Sequence, residues 1–306
     1  MKKFLSFLIV LFVLVHAKAQ DNYDWWVQIH NWDGVTSWYQ YLKITPQFMG
    51  PNALPIPEVQ KGITGDRAIL ELAADGHFSK GDKTQNAYTM LYYPVVSKLV
   101  AIEGYVVPIE HFKMDTMTRD ERAARDRDGE GTAGGDIYFG TIIQLVKEKK
   151  FPDMALRLSV RTASGTNVSA ARYTNAPGYF FDLSIGKEYI NEKYIMNKIR
   201  WYTMIGFYSW QTNNVGYFQD DAFLYGAGID FSFSKVVASF NAGGYYGYVN
   251  NHDRPVIARL QLTKEAKKHS WGLKFQIGLN DYPYYSVRIF FKYTLPDAVL
   301  LNKGCK

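Results

Sequence analysis

Hydrophobic and polar residues alternate one by one along several stretches of the chain. In WGLKFQIGL (271–279) every odd-numbered residue is large and apolar, whereas the even-numbered ones are Gly, Lys and Gln. YSVRIFFKY (285–293) and FLYGAGIDFSF (223–233) keep the same phase, with small, polar or charged residues at most even positions. Because neighbouring side chains of a β-strand point to opposite faces, each stretch predicts a strand with one apolar and one polar face.

The apolar faces are aromatic in strand after strand. The inner face of a soluble β-sandwich is rarely aromatic over so many strands, whereas membrane β-barrels alternate outward apolar and inward polar residues in this way. Composition agrees, because 16% of the residues are aromatic. After the first 20 residues no apolar run is long enough for a transmembrane helix. We therefore predict an all-β fold, a transmembrane, antiparallel, up-and-down β-barrel.

The number of segments with this pattern is about twelve, an even number, as single-chain bacterial barrels usually have. They lie near 68–79, 84–95, 98–113, 134–147, 154–165, 177–188, 199–211, 222–234, 236–249, 256–263, 269–279 and 285–294.

The lengths of the connections follow the same phase. Connections after odd-numbered strands include the long ones, at 114–133, 166–176, 212–221 and 250–255, with shorter ones at 80–83 and 280–284. Those after even-numbered strands are mostly tight, as at 96–98, 147–153 and 234–235. Since membrane barrels have short periplasmic turns and longer extracellular loops, the first strand is expected to run outward from the periplasm.

The chain begins with a pattern typical of a secretory signal peptide. Lys2 and Lys3 precede an apolar run, and Ala17-Lys18-Ala19 is a small-x-small cleavage signal, although a retained membrane anchor would look similar. We predict a signal peptide at 1–19, a periplasmic or lumenal segment at 20–67, the barrel at 68–295 and a periplasmic tail at 296–306. The prolines in TPQFMGPNALPIP (45–57) exclude a central strand there.

Charged residues identify the face that points into the barrel. In 68–79, Glu71, Asp75 and His77 share one parity, and a carboxylate that faces lipid at mid-membrane is expensive. Acidic residues come mainly from the first four strands, and basic residues come mainly from the fifth and the last three. The same argument places these further residues in the lumen: Glu103, Asp136, Gln144, Arg157, Arg161, Asp182, Arg200, Asp230, Arg259, Lys274, Arg288 and Lys292.

Two interpretations fit such a lumen. Long side chains from opposite walls can form salt bridges that stiffen and close the tube, or the separated charges can line a narrow path for a small polar or zwitterionic solute. The sequence therefore predicts a filled, charged lumen in a non-enzymatic outer-membrane protein. Its role would be that of a narrow channel or binding barrel for small polar solutes, or of a structural partner in an envelope complex.

Composition and charge also limit the classes of partner and cofactor that the protein can be expected to bind. The net charge of +6 is modest and no basic patch is interleaved with aromatics, which argues against nucleic acid. The single cysteine, Cys305, excludes an internal disulfide and a cysteine metal site. DRDGEG (126–131) lacks the full spacing of calcium ligands, so no metal or cofactor is predicted. The expected partners are outer-membrane lipids, lipopolysaccharide and envelope proteins; Arg172 and Tyr173 could bind lipopolysaccharide phosphates or reach onto the acidic wall.

The stretch GHFSKGDKTQNAY (76–88) carries the one candidate catalytic set. His77 and Ser79 share a face, and Asn86 follows on the next strand. This His-x-Ser resembles the active site of outer-membrane phospholipase A and of the lipid A deacylase barrels. The resemblance implies His77 as base, Ser79 as nucleophile and Asn86 as the residue that orients the imidazole. However, Lys80 replaces the usual Asn, and parity places His77 in the lumen, whereas those enzymes act on the lipid side.

A second resemblance covers most of 50–190. GPNALPIPE, VVPIEHFKMD and RTASGTNVSAARYTNAPGYFFD are similar to stretches of uncharacterised Bacteroidota outer-membrane β-barrel proteins. This resemblance implies an outer-membrane location and a barrel fold, without an activity. The sequence thus leaves a non-enzymatic barrel as the main prediction and a surface-rim acyl-ester hydrolase, acting on phospholipid or lipid A, as the alternative.

Overall fold

The computed structural model describes residues 23–148, 150–191, 193 and 195–296. The predicted signal peptide and residues 297–306 of the predicted tail lie outside the described residues. The chain divides into two compact units, one ending at Trp38 and the other beginning at Tyr39. Among the described residues, no helix is long and apolar enough to cross a membrane.

The described part of the first unit contains the helix Asp24–His30, which ends at Asn31 in a left-handed conformation (φ 50°). After the helix, the carboxylate of Asp33 accepts hydrogen bonds from the backbone N–H groups of Val35 and Thr36. A short polar side chain that caps its own following turn is a common way to order such a connection.

The second unit is built almost entirely from strands. Its short helical elements are the 3-10 helices Trp38–Tyr41, at the junction of the units, and Val168–Ala170, and the α-helix Thr116–Glu121. The strands are β1 (Ala68–Phe78), β2 (Asp82–Val96), β3 (Val100–Val106), β4 (Glu110–Met114), β5 (Glu130–Ala133), β6 (Tyr138–Val146), β7 (Asp153–Arg161), β8 (Gly178–Ile190), β9 (Lys198–Asn214), β10 (Tyr217–Phe233), β11 (Val236–Gly247), β12 (Val256–Glu265), β13 (His269–Asn280) and β14 (Tyr285–Leu295).

The sheet closes on itself, because β1 pairs antiparallel with β2 on one side and with β14 on the other. The fourteen strands occupy twelve positions around the barrel, called staves here, because two of these positions are each shared by two short strands. β3 and β4 both pair with β2 and make one broken stave; β5 pairs with β4, and β6 with β3, which makes a second one. This confirms the prediction of a closed, twelve-stranded, antiparallel barrel.

The breaks in these two staves have a local cause. The predicted single strand 98–113 is interrupted at Val107-Pro108-Ile109, where the proline has no N–H to give to a ladder. Directly opposite, the predicted strand 134–147 begins late, because 134–137 is irregular and β5 extends the stave before it. The two neighbouring strands of the barrel are therefore interrupted at the same height.

The two ends of the barrel differ in their connections. At one end, called here the short-turn end, the connections are 97–99, 147–152, 191–197, 234–235 and 266–268. At the other, the long-loop end, the chain forms the segments 115–129, 162–177 and 248–255 together with short turns. The predicted loop 212–221 is wrong: β9 and β10 stay paired to a tight turn, with Gln211 opposite Gln219. Polar residues on both faces there concealed the strands.

The two faces of the wall follow parity. Outward apolar residues are well exposed, for example Ile289 at 63% and Leu279 at 60%, whereas the inward Tyr208, Leu224 and Tyr245 are fully buried. Such an apolar outer surface is stable only in contact with hydrocarbon. The wall is therefore the membrane-facing shell that the alternation predicted.

The interior is filled by the protein's own chain. Residues 49–65, named here the lumen segment, have no regular secondary structure and run inside the barrel. The backbone N–H of Gly50 donates to Ala171 O at the long-loop end (2.8 Å), and that of Gly65 donates to the Tyr92 hydroxyl near the short-turn end (2.7 Å). Before it, Gln40 bonds the β9–β10 turn through Asn213 O. The chain thus passes from the long-loop end to the short-turn end before β1 begins.

Candidate functional site

The lumen segment is held by side chains of the wall and not by a strand ladder. Three of its residues are proline, and prolines favour an extended backbone that needs few N–H partners. Its carbonyl oxygens, however, need donors inside the barrel. The wall supplies them through these contacts: Tyr284 to Met49 O, Tyr282 to Pro51 O, Arg161 to Ala53 O, Tyr245 to Leu54 O, Arg259 to Ile56 O, Arg157 to Glu58 O, Arg200 to Lys61 O and Gln144 to Gly62 O.

One side chain of the segment carries a negative charge into the middle of the barrel. Glu58 Oε1 lies 2.8 Å from Lys274 Nζ and 3.7 Å from Arg259 Nε. The Glu58 side chain remains 52% exposed, because it borders a cavity of about 450 Å³ between the segment and the wall. The cavity is lined by basic residues of β12–β14, by tyrosines and by wall carboxylates, among them Tyr88, Tyr105, Glu71, Glu103 and Asp136. It is therefore polar and partly aromatic, with the basic residues gathered on the β12–β14 side.

The inward charges pair with their strand neighbours. Glu71 is the register partner of Lys292 (3.2 Å between Oε2 and Nζ), and Asp75 that of Arg288 (2.5 Å). The expectation that charges meet across the lumen is wrong for these pairs. Closure places the acidic first strand directly beside the basic last strand, and register partners are close enough for a salt bridge.

The remaining residues that parity assigned to the lumen are buried and engaged as well. Arg157 Nε lies 2.7 Å from its register partner Asp182, while Glu103 is 3.9 Å from Arg157 Nη1. The other contacts are Arg161 with Asp136 (4.0 Å), Arg200 with Asp153 (2.8 Å) and Asp230 with Lys61 (2.5 Å). These ion pairs and the lumen segment together make the filled, charged interior that was predicted for the fold.

A second buried ion cluster closes the long-loop end. Arg172, in the 162–177 loop, donates to Asp82, Glu110 and Thr84, each at 2.7 Å. Burial by itself lowers the pKa of the Arg172 guanidinium, but the Glu110 and Asp82 carboxylates beside it raise that pKa above its usual range. Of the two roles considered for Arg172 from sequence, the structure shows contact with the acidic wall.

The helical loop joins the same cluster. Arg122, just after the helix Thr116–Glu121, donates to Asp82 Oδ2 at 2.8 Å and to the Tyr284 hydroxyl at 2.8 Å. The helix itself begins with Asp115 as its cap, since Asp115 accepts from the Thr118 N–H. Asp82 was missed from sequence, because nothing local marks a strand-end Asp as the meeting point of two loops.

The candidate catalytic residues do not form one set. The imidazole of His77 points into the barrel, where Nδ1 is 2.7 Å from Ser286 Oγ and Nε2 is 2.9 Å from Asn86 Oδ1. Ser79 lies after the end of β1, and its hydroxyl bonds Asp82 O at 3.4 Å. Because Asn86 Oδ1 can only accept, His77 Nε2 carries the proton and Nδ1 accepts from the Ser286 hydroxyl.

No group of three or more His, Cys, Asp or Glu side chains is placed to hold a metal ion within the part of the chain that the structure describes.

Comparison with known proteins supports the architecture. No protein-family model and no curated protein sequence matches the chain. Among solved structures, the COG4313 outer membrane channel from Pseudomonas putida F1 is similar, with a TM-score of 0.52 and 10% identity over 80% of this chain and 97% of that chain. The KdgM porin gives a TM-score of 0.47 and 7% identity over 74% of this chain and 99% of that one. At 10% identity, the similarity to the COG4313 channel shows only the fold, which is that of an outer-membrane β-barrel.

Proposed function

We propose that this protein is a non-enzymatic barrel of the outer membrane, with its long-loop end outside the cell and its short-turn end in the periplasm. The exposed apolar wall supports a membrane location, and the asymmetry of the connections supports this orientation. The predicted signal peptide is consistent with export.

Within that barrel, the lumen is proposed to be a narrow, gated path for small polar solutes, with the lumen segment as its constriction. The observation that carries this proposal is the row of contacts along residues 49–65. These contacts are side-chain hydrogen bonds to its backbone and a few ion pairs through Glu58 and Lys61, and the segment has no strand ladder with the wall. A segment held in this way can be displaced without unfolding any strand.

The solute class is proposed from the chemistry around Glu58. Its carboxylate occupies a basic position between Lys274 and Arg259, beside an open cavity. A small solute with a carboxylate would find the same two cations and would compete with Glu58 for them. The path should therefore favour small carboxylates over small cations.

A Glu58→Gln substitution tests this role directly. The neutral amide pairs more weakly with Lys274 and Arg259, so the two cations become available to solute. We expect about a two- to fivefold rise in uptake of a small carboxylate by proteoliposomes, together with a shift of the reversal potential toward anions in planar bilayers. Glu121→Gln, at an exposed residue of the loop helix, is the matched control and should leave both values unchanged. Equal uptake by wild type and Glu58→Gln would count against a gated carboxylate path.

The alternative, an acyl hydrolase acting through Ser79 and His77, stays a prediction, and the contacts of His77 give it no support. We expect Ser79→Ala to leave the phospholipid and lipid A species of an expressing strain unchanged, because the His77 ring nitrogens are engaged by Ser286 and Asn86. Lipid mass spectrometry of wild type, Ser79→Ala and an empty-vector strain provides the measurement. If a deacylated lipid is present in the wild-type strain and absent from the Ser79→Ala strain, the hydrolase hypothesis is supported.

A further inference from the structure

Two buried carboxylates, Asp220 and Asp253, lie near each other at the long-loop end and do not line the lumen segment's cavity. Asp220 faces inward from β10, two residues before Ala222, whose register partner on β11 is Gly247. The backbone N–H of Gly247 donates to Asp253 O (3.0 Å). The Asp253 carboxylate also packs against Gly247, so closely that a Cβ at this position would have no room. The Asp220 and Asp253 side chains thus occupy neighbouring positions on one inner surface.

Both side chains are fully buried. Neither oxygen of Asp220 accepts a hydrogen bond of ordinary geometry among the described residues, although the backbone N–H groups of Asp221 and Tyr248 lie nearby, and Asp253 Oδ1 accepts none either. Asn251, in the same loop, adds a third side chain: its amide nitrogen donates to the Tyr217 hydroxyl (3.2 Å), and its Oδ1 is also buried without a partner. Four buried acceptor oxygens on β10 and the 248–255 loop therefore lack a well-formed hydrogen bond, and native structures leave few such atoms unpaired.

The side-chain and backbone donors near Asp253 do not pair all of these oxygens. Asp253 Oδ2 accepts from the backbone N–H of Asn250 (3.0 Å), which leaves its other oxygen unpaired. The nearest basic group is Arg254, whose Nε is 4.0 Å from Asp253 Oδ1, and its guanidinium stacks on the Tyr246 ring at 3.9 Å from the centroid. For Asp220, no ion pair exists within the described ranges. A buried carboxylate without a counter-charge is strongly unfavourable.

From this geometry we propose that Asp220, Asp253 and Asn251 form a binding site for a hard divalent cation, Ca²⁺, that ties the β9–β10 hairpin to the 248–255 loop. Carboxylate and amide oxygens are the ligands that Ca²⁺ prefers, and with three protein side chains the other positions fall to water or backbone oxygen. A site with only two carboxylates belongs to the weak class, with a dissociation constant of roughly 0.1–1 mM, as in extracellular calcium modules.

The test uses the full mature chain, refolded in detergent without lipopolysaccharide and stripped of metal with EDTA. Titration calorimetry with CaCl₂ should show one site in the wild type and about tenfold or more weaker binding in Asp220→Asn. Asp221→Asn is the matched control, because Asp221 is adjacent, points outward and bonds Gln219; its affinity should stay within about twofold. Folding of each variant is checked by its heat-modifiable gel mobility, and Asp253→Asn replaces Asp220→Asn where the latter does not fold.

A second readout places the ion. Trp210 is the register partner of Asp220, so Tb³⁺ bound at this site should show emission sensitised by tryptophan excitation, which CaCl₂ removes by competition. Trp210→Phe should reduce that emission while leaving the Ca²⁺ affinity unchanged. The proposal is overturned if the wild type takes up no Ca²⁺ at millimolar concentration. Equal affinity in the folded aspartate variants and the wild type would also overturn it.

Discussion

Replacing residues 51–65 with a Gly/Ser linker of equal length is expected to raise the single-channel conductance of the barrel about tenfold or more. The linker keeps the connection to β1 but removes Pro55, Ile56, Pro57, Glu58 and Val59, whose side chains fill the middle of the lumen. A Gly/Ser chain is also far more flexible than a proline-rich one, so it forms fewer lasting hydrogen bonds with the wall. Planar-bilayer recording of purified, folded protein provides the measurement.

The matched control is the same replacement of residues 24–38, which also covers fifteen positions. Its conductance should remain that of the wild type, because this replacement leaves every residue of the lumen segment and of the wall unchanged. Heat-modifiable mobility shows whether each variant has folded. If the folded 51–65 variant conducts no more than the wild type, the lumen is closed by the wall itself and the gated path is wrong.

Arg172→Ala is expected to destabilise the folded barrel by about 3–5 kcal/mol, the usual cost of leaving buried charges without their partner. Asp82 and Glu110 are both completely buried, and Arg172 bonds each of them. In the variant, Arg122 still compensates Asp82, but Glu110 keeps only its neutral partners Asn52 and Tyr173. Urea unfolding in detergent, followed by tryptophan fluorescence, measures the change.

Arg127→Ala is the control for Arg172→Ala, since Arg127 is an exposed arginine of the neighbouring long loop. It should change the free energy of unfolding by less than about 0.5 kcal/mol. Arg172→Lys should recover only part of the loss, because one ammonium group cannot reach Asp82, Glu110 and Thr84 with the geometry of a guanidinium. A loss below about 1 kcal/mol for Arg172→Ala would show that the cluster contributes little to stability.

Parity made most of the wall predictable. In β13 and β14 each residue's face follows from its odd or even position, and the cost of a lipid-facing carboxylate was enough to identify the inside from Glu71 and Asp75. The same rule failed at 212–221, where Gln211 and Gln219 pair as polar residues on the outer face beyond the apolar band. Alternation disappears once both sides of a strand face polar surroundings.

The filling of the lumen could not be derived in the same way. Prolines showed only that 45–57 is not a central strand. Its position depends on single contacts between carbonyls such as Ile56 O and arginines two hundred residues away, such as Arg259. The Asp82–Arg172 cluster likewise joins a strand end to a distant loop. Neither interaction has a period, so neither leaves a signal in the sequence.

The path of residues 49–65 constrains how this molecule can be assembled. The lumen segment leads directly into β1, and its hydrogen-bond partners lie on strands from β6 to β12. Those partners surround the segment only when the sheet has curled, and β1 pairing with β14 along its whole length seals the ring. Closing the β1–β14 seam and placing the segment are therefore coupled steps, so a variant with a weakened seam should also lose the order of its interior.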